Sequence, residues 1–129
     1  MDNYFEVKTT VKITEKQINS MIVSAVEGGC SYWARFEFQK NWKDRCSSYE
    51  QIPMNGGKIE VFDIEEGELL GALSRNSIRA ALQYMANGKD INNKAIPMRH
   101  FENLLNDTAD AETADVFLQL CAMGEIVFG

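Results

Sequence analysis

The beginning of the chain alternates between apolar and polar positions. Residues 4–13 place Glu6, Lys8, Thr10 and Lys12 on one side and a mostly apolar set on the other. That second set comprises Phe5, Val7, Thr9, Val11 and Ile13. Because successive side chains of a strand point to opposite faces, this period of two predicts a strand with one solvated face.

A helix is predicted directly after this strand. Thr14 and Gln17 have the spacing of a capping box, in which each side chain accepts a hydrogen bond from the other residue's backbone N–H. Apolar residues then recur at intervals of three and four, as they do along one face of a helix. They are Ile18, Met21, Ile22, Ala25 and Val26. Gly28 and Gly29 follow, and glycine commonly ends helices because it tolerates a left-handed backbone.

The middle of the chain has the pattern of further strands. Between residues 30 and 38, Tyr32, Ala34, Phe36 and Phe38 alternate with Trp33, Arg35 and Glu37, which favours an extended segment. Residues 58–64 and 69–73 are strand-like and flank an acidic hairpin turn. Residues 39–57 are polar and end in Asn55-Gly56-Gly57, so they are predicted to form a long loop.

Three more helices are predicted in the second half. Ser74 can cap a helix that ends at Asn87-Gly88, and Pro97 suits the first turn of a short helix through Leu105. A third helix covers residues 111–122 and is apolar around most of its circumference, which is typical of an interior helix. Its candidate caps are Asp107, Thr108 and Asp110. Residues 125–128 are a candidate closing strand.

These elements predict the fold class and the number of domains. Three or four strands and about four helices in 129 residues indicate a single α+β domain over residues 1–129. In this arrangement the helices pack on a small, mostly antiparallel sheet.

The net charge of −6 is unevenly distributed. Residues 1–57 hold seven basic and seven acidic residues, whereas residues 58–129 hold six basic and twelve acidic residues. An acidic chain repels phosphate backbones and anionic lipids, which argues against direct binding to duplex nucleic acid or to a membrane. No run reaches the roughly 20 apolar residues of a membrane span, and no secretory signal precedes the first strand. We therefore expect a protein of the reducing cytoplasm.

The cysteines and the histidine give little support for metal or catalytic chemistry. Cys30, Cys46 and Cys121 lack CxxC spacing and are predicted to be reduced, partly buried thiols, so neither a metal nor a cofactor is expected. His100 is the only histidine and is predicted to be a packed or surface residue. The sequence contains no nucleophile elbow and no P-loop. We expect a protein that is not an enzyme, with an undetected hydrolase as an alternative.

Two acidic stretches are candidates for binding a partner. Carboxylates held on a rigid surface can engage a basic groove built for nucleic acid, and thus imitate nucleic acid. The predicted partner-binding residues are Glu60, Asp63, Glu65, Glu66 and Glu68 around the hairpin, with Asp110, Glu112 and Asp115 near the last helix. The alternative is that a turn and a helix start carry acidic residues for solubility and capping.

An aromatic cluster with basic neighbours is a second candidate site. Five aromatic residues fall within residues 32–42, and Tyr32, Trp33 and Arg35 are the group that could stack on a base. Aromatic side chains on alternate positions of a strand more commonly form core, and they also serve in protein contacts. A small nucleotide-binding protein that sequesters a signal is therefore an alternative function.

A third candidate lies within the last predicted helix. Glu112, Asp115 and Gln119 share one helical face, at spacings of three and four residues. This polar stripe is either a site facing a cleft or the solvated edge of a buried helix, and the solvated edge is the preferred interpretation.

Two blocks of sequence resemble a family of small proteins from bacteriophages and prophages of gut bacteria. The first is Glu27-Gly28-Gly29 followed by Tyr32-Trp33, and the second comprises residues 110–119 together with 124–129. The resemblance covers the first and last quarters of the chain and transfers no catalytic or binding residue. It implies a protein made in an infected bacterium. Our leading hypothesis is a non-enzymatic accessory protein that blocks a host macromolecule, for example a CRISPR-type defence complex.

Overall fold

Four α-helices and one three-stranded antiparallel sheet make up the regular structure of residues 3–129, the part of the chain that the computed structural model describes. The helices are α1 (Glu15–Ser24), α2 (Arg75–Asn87), α3 (Arg99–Leu105) and α4 (Ala111–Met123), and the strands are β1 (Ala34–Phe38), β2 (Ile59–Asp63) and β3 (Leu69–Leu73). The predicted α+β class is confirmed.

The predicted strand over residues 4–13 is wrong. This segment is extended, but within the described residues it pairs with no other strand. Phe5 is 96% exposed and Val7 is 79% exposed, while Ile13 at the end of the segment packs against the core. A period of two describes which faces the side chains take, whereas a strand also needs a neighbour to receive its N–H and C=O groups. The sequence pattern contains no information about that neighbour.

The capping box at the start of α1 is confirmed. The Thr14 hydroxyl accepts a hydrogen bond from the Gln17 N–H at 3.2 Å, and the Gln17 side chain accepts one from the Thr14 N–H at 2.8 Å. After α1 the chain makes one π-helical turn, Ala25–Gly29. A Cβ at Gly29 would lie 2.8 Å from the Ala111 carbonyl, so this glycine allows the start of α4 to approach the turn closely.

The sheet is a meander in the order β1-β2-β3, with Ala34 opposite Asp63 and Ile59 opposite Leu73. One face is buried, where Ile59, Val61 and Leu73 are fully enclosed. Gly71 on β3 meets α4 on this face, and a Cβ there would overlap the backbone carbonyl of Ala122. The hairpin and both of its strands were predicted from the sequence.

Helix α4 runs through the interior, as its apolar circumference predicts. Phe117 and Leu118 are fully buried, and the helix packs against α1, α2, α3 and β3. The closing strand predicted over residues 125–128 is wrong, because this segment pairs with no strand in the described chain. It lies against α4, where the side chain of Gln119 bonds its backbone.

Most of the remaining predicted elements agree with the structure. The extended segment predicted over residues 30–38 is a strand only from Ala34, because residues 30–33 form a turn, and α3 begins two residues after Pro97. Residues 39–57 form a long connection with three short 3₁₀ turns, in which the ring of Tyr49 stacks on Phe38 at a centroid distance of 5.0 Å. Ser74 caps α2 and Gly88 ends it in the left-handed conformation. All three cysteines are buried free thiols. Among the described residues no helix is both long enough and apolar enough to cross a membrane.

Candidate functional site

Asp115 on α4 is the centre of a hydrogen-bond network that links distant parts of the chain. Its carboxylate accepts hydrogen bonds from the Trp33 indole N–H at 2.8 Å and from the Tyr32 hydroxyl at 2.6 Å. The Cys30 thiol donates to it at 3.4 Å and the Gln119 amide at 3.1 Å. Four donors around one carboxylate leave little of its acceptor capacity free.

Gln119 extends this network to the end of the chain. Its side-chain oxygen accepts hydrogen bonds from the N–H groups of Val127 and Phe128, both at 2.8 Å, and its amide donates to the Phe128 carbonyl at 3.1 Å. The Phe128 ring stacks on Trp33 with a centroid distance of 4.8 Å and an interplanar angle of 12°. Tyr32 and Trp33, helix α4 and the terminal segment therefore meet in one network.

The polar stripe on α4 is only partly a solvated edge. Gln119 is 1% exposed and Asp115 is half-buried, so the solvated-edge interpretation is wrong for these two residues. Glu112 is solvated and pairs with Arg99 at 2.6 Å. The sequence signal for this buried polar position was a glutamine on an otherwise apolar helix. Its partner could not be read from the sequence, because Gln119 bonds backbone groups of the terminal segment.

Two hydrogen-bond donors of the network, Cys30 and Tyr32, are held in their protonated forms. Burial, followed by the nearby Asp115 carboxylate, raises the pKa of the Cys30 thiol well above its ordinary value. Burial and the hydrogen bond to Asp115 likewise raise the pKa of Tyr32. Because the thiolate is the reactive form of cysteine, Cys30 is poorly suited to act as a nucleophile at neutral pH. The network can hold the terminal segment in place by hydrogen bonds and ring stacking, which is a structural role.

Tyr32, Trp33 and Arg35 do not form one exposed stacking platform. Trp33 is 2% exposed and one face of its ring is covered by Phe128, as the core interpretation predicts. Tyr32 is 52% exposed, but its hydroxyl is bonded to Asp115. The Arg35 guanidinium lies 4.4 Å from the centre of the Phe62 ring and bonds Glu37 at 2.9 Å.

Among the acidic residues around the hairpin, one stabilises the turn and three are exposed to solvent. The Asp63 carboxylate accepts hydrogen bonds from the N–H groups of Glu65 and Glu66, at 2.8 and 3.2 Å, so it fixes the turn. Glu65, Glu66 and Glu68 are exposed, and no ion pair in the described residues includes them. Glu60 is half-buried in the centre of the sheet, opposite Glu37 and Ala72.

The acidic residues at the start of α4 have internal roles. Asp110 is the N-cap and accepts a hydrogen bond from the Thr113 N–H at 2.9 Å, which lowers the pKa of its carboxyl group. Glu112 is paired with Arg99, and Asp115 is enclosed by its four donors. The capping interpretation therefore fits Asp110, and the free carboxylates of the predicted set are concentrated at the tip of the hairpin.

His100 is a packed residue, as predicted. It is 2% exposed, and its Nδ1 lies 2.9 Å from the Thr113 hydroxyl. Burial, with a further contribution from Arg99, lowers the pKa of the ring. Within residues 3–129, no group of three or more histidine, cysteine or acidic side chains is arranged to hold a metal ion.

A groove that the sequence did not indicate lies between residues 9–13 and α2. Its volume is about 370 Å³, its floor includes Ile78, Leu82 and Phe101, and Arg75 and Arg79 stand at its rim. The Arg75 guanidinium donates to the Met54 carbonyl at 2.9 Å. The groove is lined neither by His100 nor by Tyr32, Trp33 and Arg35.

No protein-family model, no curated protein and no solved structure matches the chain. The resemblance to phage proteins therefore stays a prediction.

Proposed function

We propose that this protein is a non-enzymatic binding protein whose acidic hairpin docks on a basic surface of another macromolecule. Three carboxylates at the tip of the β2–β3 hairpin carry the proposal, because Glu65, Glu66 and Glu68 are exposed on a turn that Asp63 holds in place. Of the other predicted acidic residues, Asp63, Asp110 and Asp115 bond groups of the fold, and Glu112 pairs with Arg99.

The hairpin tip is rigid because four hydrogen bonds converge on Asp63. Its side chain accepts from the Glu65 and Glu66 N–H groups, as described above. Its backbone N–H donates to the Glu68 carbonyl, and its carbonyl accepts from the Gly67 N–H, both at 2.8 Å. Gly67 has a φ of 71°, the left-handed conformation that glycine adopts without strain. A tip fixed before binding loses little conformational entropy when it docks.

Two exposed aliphatic side chains flank the acidic tip. Ile64 is 49% exposed and Leu69 is 52% exposed. Interfaces typically combine an apolar centre with a polar rim, and here both components are carried by one hairpin. The charges would steer the approach to a basic surface, while Ile64 and Leu69 would contribute buried apolar area.

The resemblance to phage proteins suggests the class of partner. A host nuclease complex that binds nucleic acid presents a groove lined by arginine and lysine. A hairpin with three carboxylates would compete with the phosphate backbone for such a groove. We therefore propose that the target is a nucleic-acid-binding protein of the host, such as a CRISPR-type defence complex, and that inhibition is steric and electrostatic.

A pull-down from bacterial host lysate tests the hairpin. The triple variant Glu65→Gln, Glu66→Gln, Glu68→Gln is expected to lose partners that the unmodified protein recovers, with the loss reproduced by raised salt. The matched control is Glu6→Gln, Asp44→Gln, Glu102→Gln, which removes three exposed carboxylates elsewhere and the same net charge. Equal recovery by the unmodified protein and both variants would show that the hairpin is not the binding surface.

The two alternative functions have less support from the geometry. A nucleotide-binding site would require Trp33 to leave its contact with Phe128, and a hydrolase would require the enclosed His100 to reach substrate. A thermal-shift measurement across a panel of nucleotides tests the first, because a ligand that binds only the folded protein raises the melting temperature.

A further inference from the structure

Strand β1 is an edge of the sheet, and most of its outward backbone groups have no partner within the described residues. The Ile64 N–H donates to the Trp33 carbonyl at 2.8 Å, in the same register that places Ala34 opposite Asp63. Hydrogen-bonded pairs alternate in an antiparallel ladder, so Arg35 and Glu37 direct their backbone groups towards β2. Phe36 and Phe38 therefore direct theirs outward, away from the sheet.

No described group bonds the outward N–H and C=O of Phe36 or the outward N–H of Phe38. The Ala34 N–H is already bonded to the Cys30 carbonyl at 2.9 Å, which leaves the Ala34 carbonyl as the outward acceptor at that end. An unpaired edge of this kind is a template for another strand.

The charges on β1 are symmetric in position and opposite in sign. Arg35 and Glu37 lie one residue to either side of Phe36, on the solvated face of the sheet, and their side chains are 46% and 54% exposed. A two-fold axis through Phe36 would place Arg35 of one copy opposite Glu37 of the other, twice. These would be non-hydrogen-bonded positions, at which side chains on adjacent strands lie closest.

We infer that β1 is a self-complementary edge, which pairs antiparallel with β1 of a second copy about a two-fold axis at Phe36. Phe36 would exchange both backbone hydrogen bonds with its symmetry mate. The Phe38 N–H of each copy would donate to the Ala34 carbonyl of the other. The result is a continuous six-stranded sheet with two cross-strand ion pairs.

The ladder geometry and these charges together disfavour the neighbouring registers. A shift by one residue would place Phe36 of one copy opposite Glu37 of the other. The backbone groups of Glu37 point towards β2 and not towards the second copy, so no ladder of hydrogen bonds would form. A shift by two would place Arg35 opposite Arg35, or Glu37 opposite Glu37, and like charges directly opposite are destabilising. Charged residues often protect an edge strand from pairing, but here they favour one register.

The opposite edge of the sheet does not have these features. Strand β3 carries no charged residue, and the Ser77 hydroxyl donates to its Ala72 carbonyl at 2.7 Å. The acidic hairpin joins β2 and β3, so pairing through β1 leaves the hairpin free in both copies. The dimer is therefore independent of the proposed function and would present two acidic tips.

Sedimentation velocity on the full chain over a range of concentrations tests this interface. The unmodified protein is expected to show a concentration-dependent dimer. Arg35→Glu and Glu37→Arg should each weaken dimerisation by about tenfold or more, because two attractive pairs become two repulsive ones. The double variant Arg35→Glu, Glu37→Arg restores opposite charges and should recover the dissociation constant to within about threefold.

Lys40→Glu is the matched control, since Lys40 is exposed and lies just beyond β1. It should leave dimerisation unchanged. Circular dichroism and the melting temperature of each variant establish that it is folded. A protein that stays monomeric at its highest soluble concentration would overturn the inference. So would a dimer that is insensitive to the single reversals, or single reversals that the double variant does not rescue.

Discussion

The indole N–H of Trp33 donates to the Asp115 carboxylate at 2.8 Å, across 82 residues of sequence. The same indole ring stacks on Phe128, whose backbone is bonded by Gln119. Three parts of the chain thus depend on one another: the turn before β1, the middle of α4 and the terminal segment. Loss of the Asp115 carboxylate or of the Gln119 amide would leave several polar groups without a partner.

Asp115→Asn is expected to lower the free energy of unfolding by about 1–3 kcal/mol. The substitution keeps the size of the side chain, but it replaces one acceptor oxygen by an amide that faces donors. Urea denaturation measures the change. Glu112→Gln on the same helix is the control, because its ion pair with Arg99 is exposed and should contribute less than about 1 kcal/mol. Equal losses in the two variants would contradict the role of the network.

Gln119→Leu is expected to release the terminal segment from α4. The N–H groups of Val127 and Phe128 would lose their shared acceptor, so their hydrogen exchange should accelerate towards the rate of an unstructured chain. Amide exchange followed by NMR measures this directly. The Val61 amide in the centre of the sheet should keep its protection, which separates local release from global unfolding. Unchanged exchange at residues 127 and 128 would show that other contacts hold the segment.

Gly71→Ala is expected to destabilise the protein by about 3 kcal/mol, because the new methyl group would overlap a backbone carbonyl of α4 that cannot move aside easily. For a chain of this size, that loss corresponds to a melting temperature about 10 °C lower. Gly28→Ala is the control, since a Cβ at Gly28 meets no atom within 4 Å. A tolerated Gly71→Ala would mean that α4 does not lie against β3 as closely as described.

The stability of the protein should fall as the pH drops from about 7 to 5. Burial lowers the pKa of His100 in the folded state, so below about pH 6.5 the unfolded chain binds a proton that the folded protein does not. His100 is the only histidine, and the urea midpoint as a function of pH measures its effect. His100→Gln should show a smaller decrease over this range. If the variant follows the same pH dependence as the unmodified protein, His100 is not the group responsible.

Local signals in the sequence identified most of the elements. Thr14 and Gln17 predicted the start of α1, Ser74 and Gly88 the limits of α2, and the turn residues around Gly67 the β2–β3 hairpin. These signals succeed because caps and turns are satisfied by residues within a few positions of one another. The apolar circumference of α4 also predicted an interior helix. On the surface of the protein, a helix of this kind would expose apolar side chains to water in every orientation.

The tertiary structure decided which polar side chains are free to bind a partner. The sequence could not distinguish the enclosed carboxylates of Asp63 and Asp115 from the free ones of Glu65, Glu66 and Glu68, because enclosure depends on donors elsewhere in the fold. Residues 4–13 and 125–128 have strand-like patterns, but no strand within residues 3–129 pairs with them. Local sequence therefore determined the helices, turns and buried faces, whereas pairing between distant segments determined which edges and charges stay exposed.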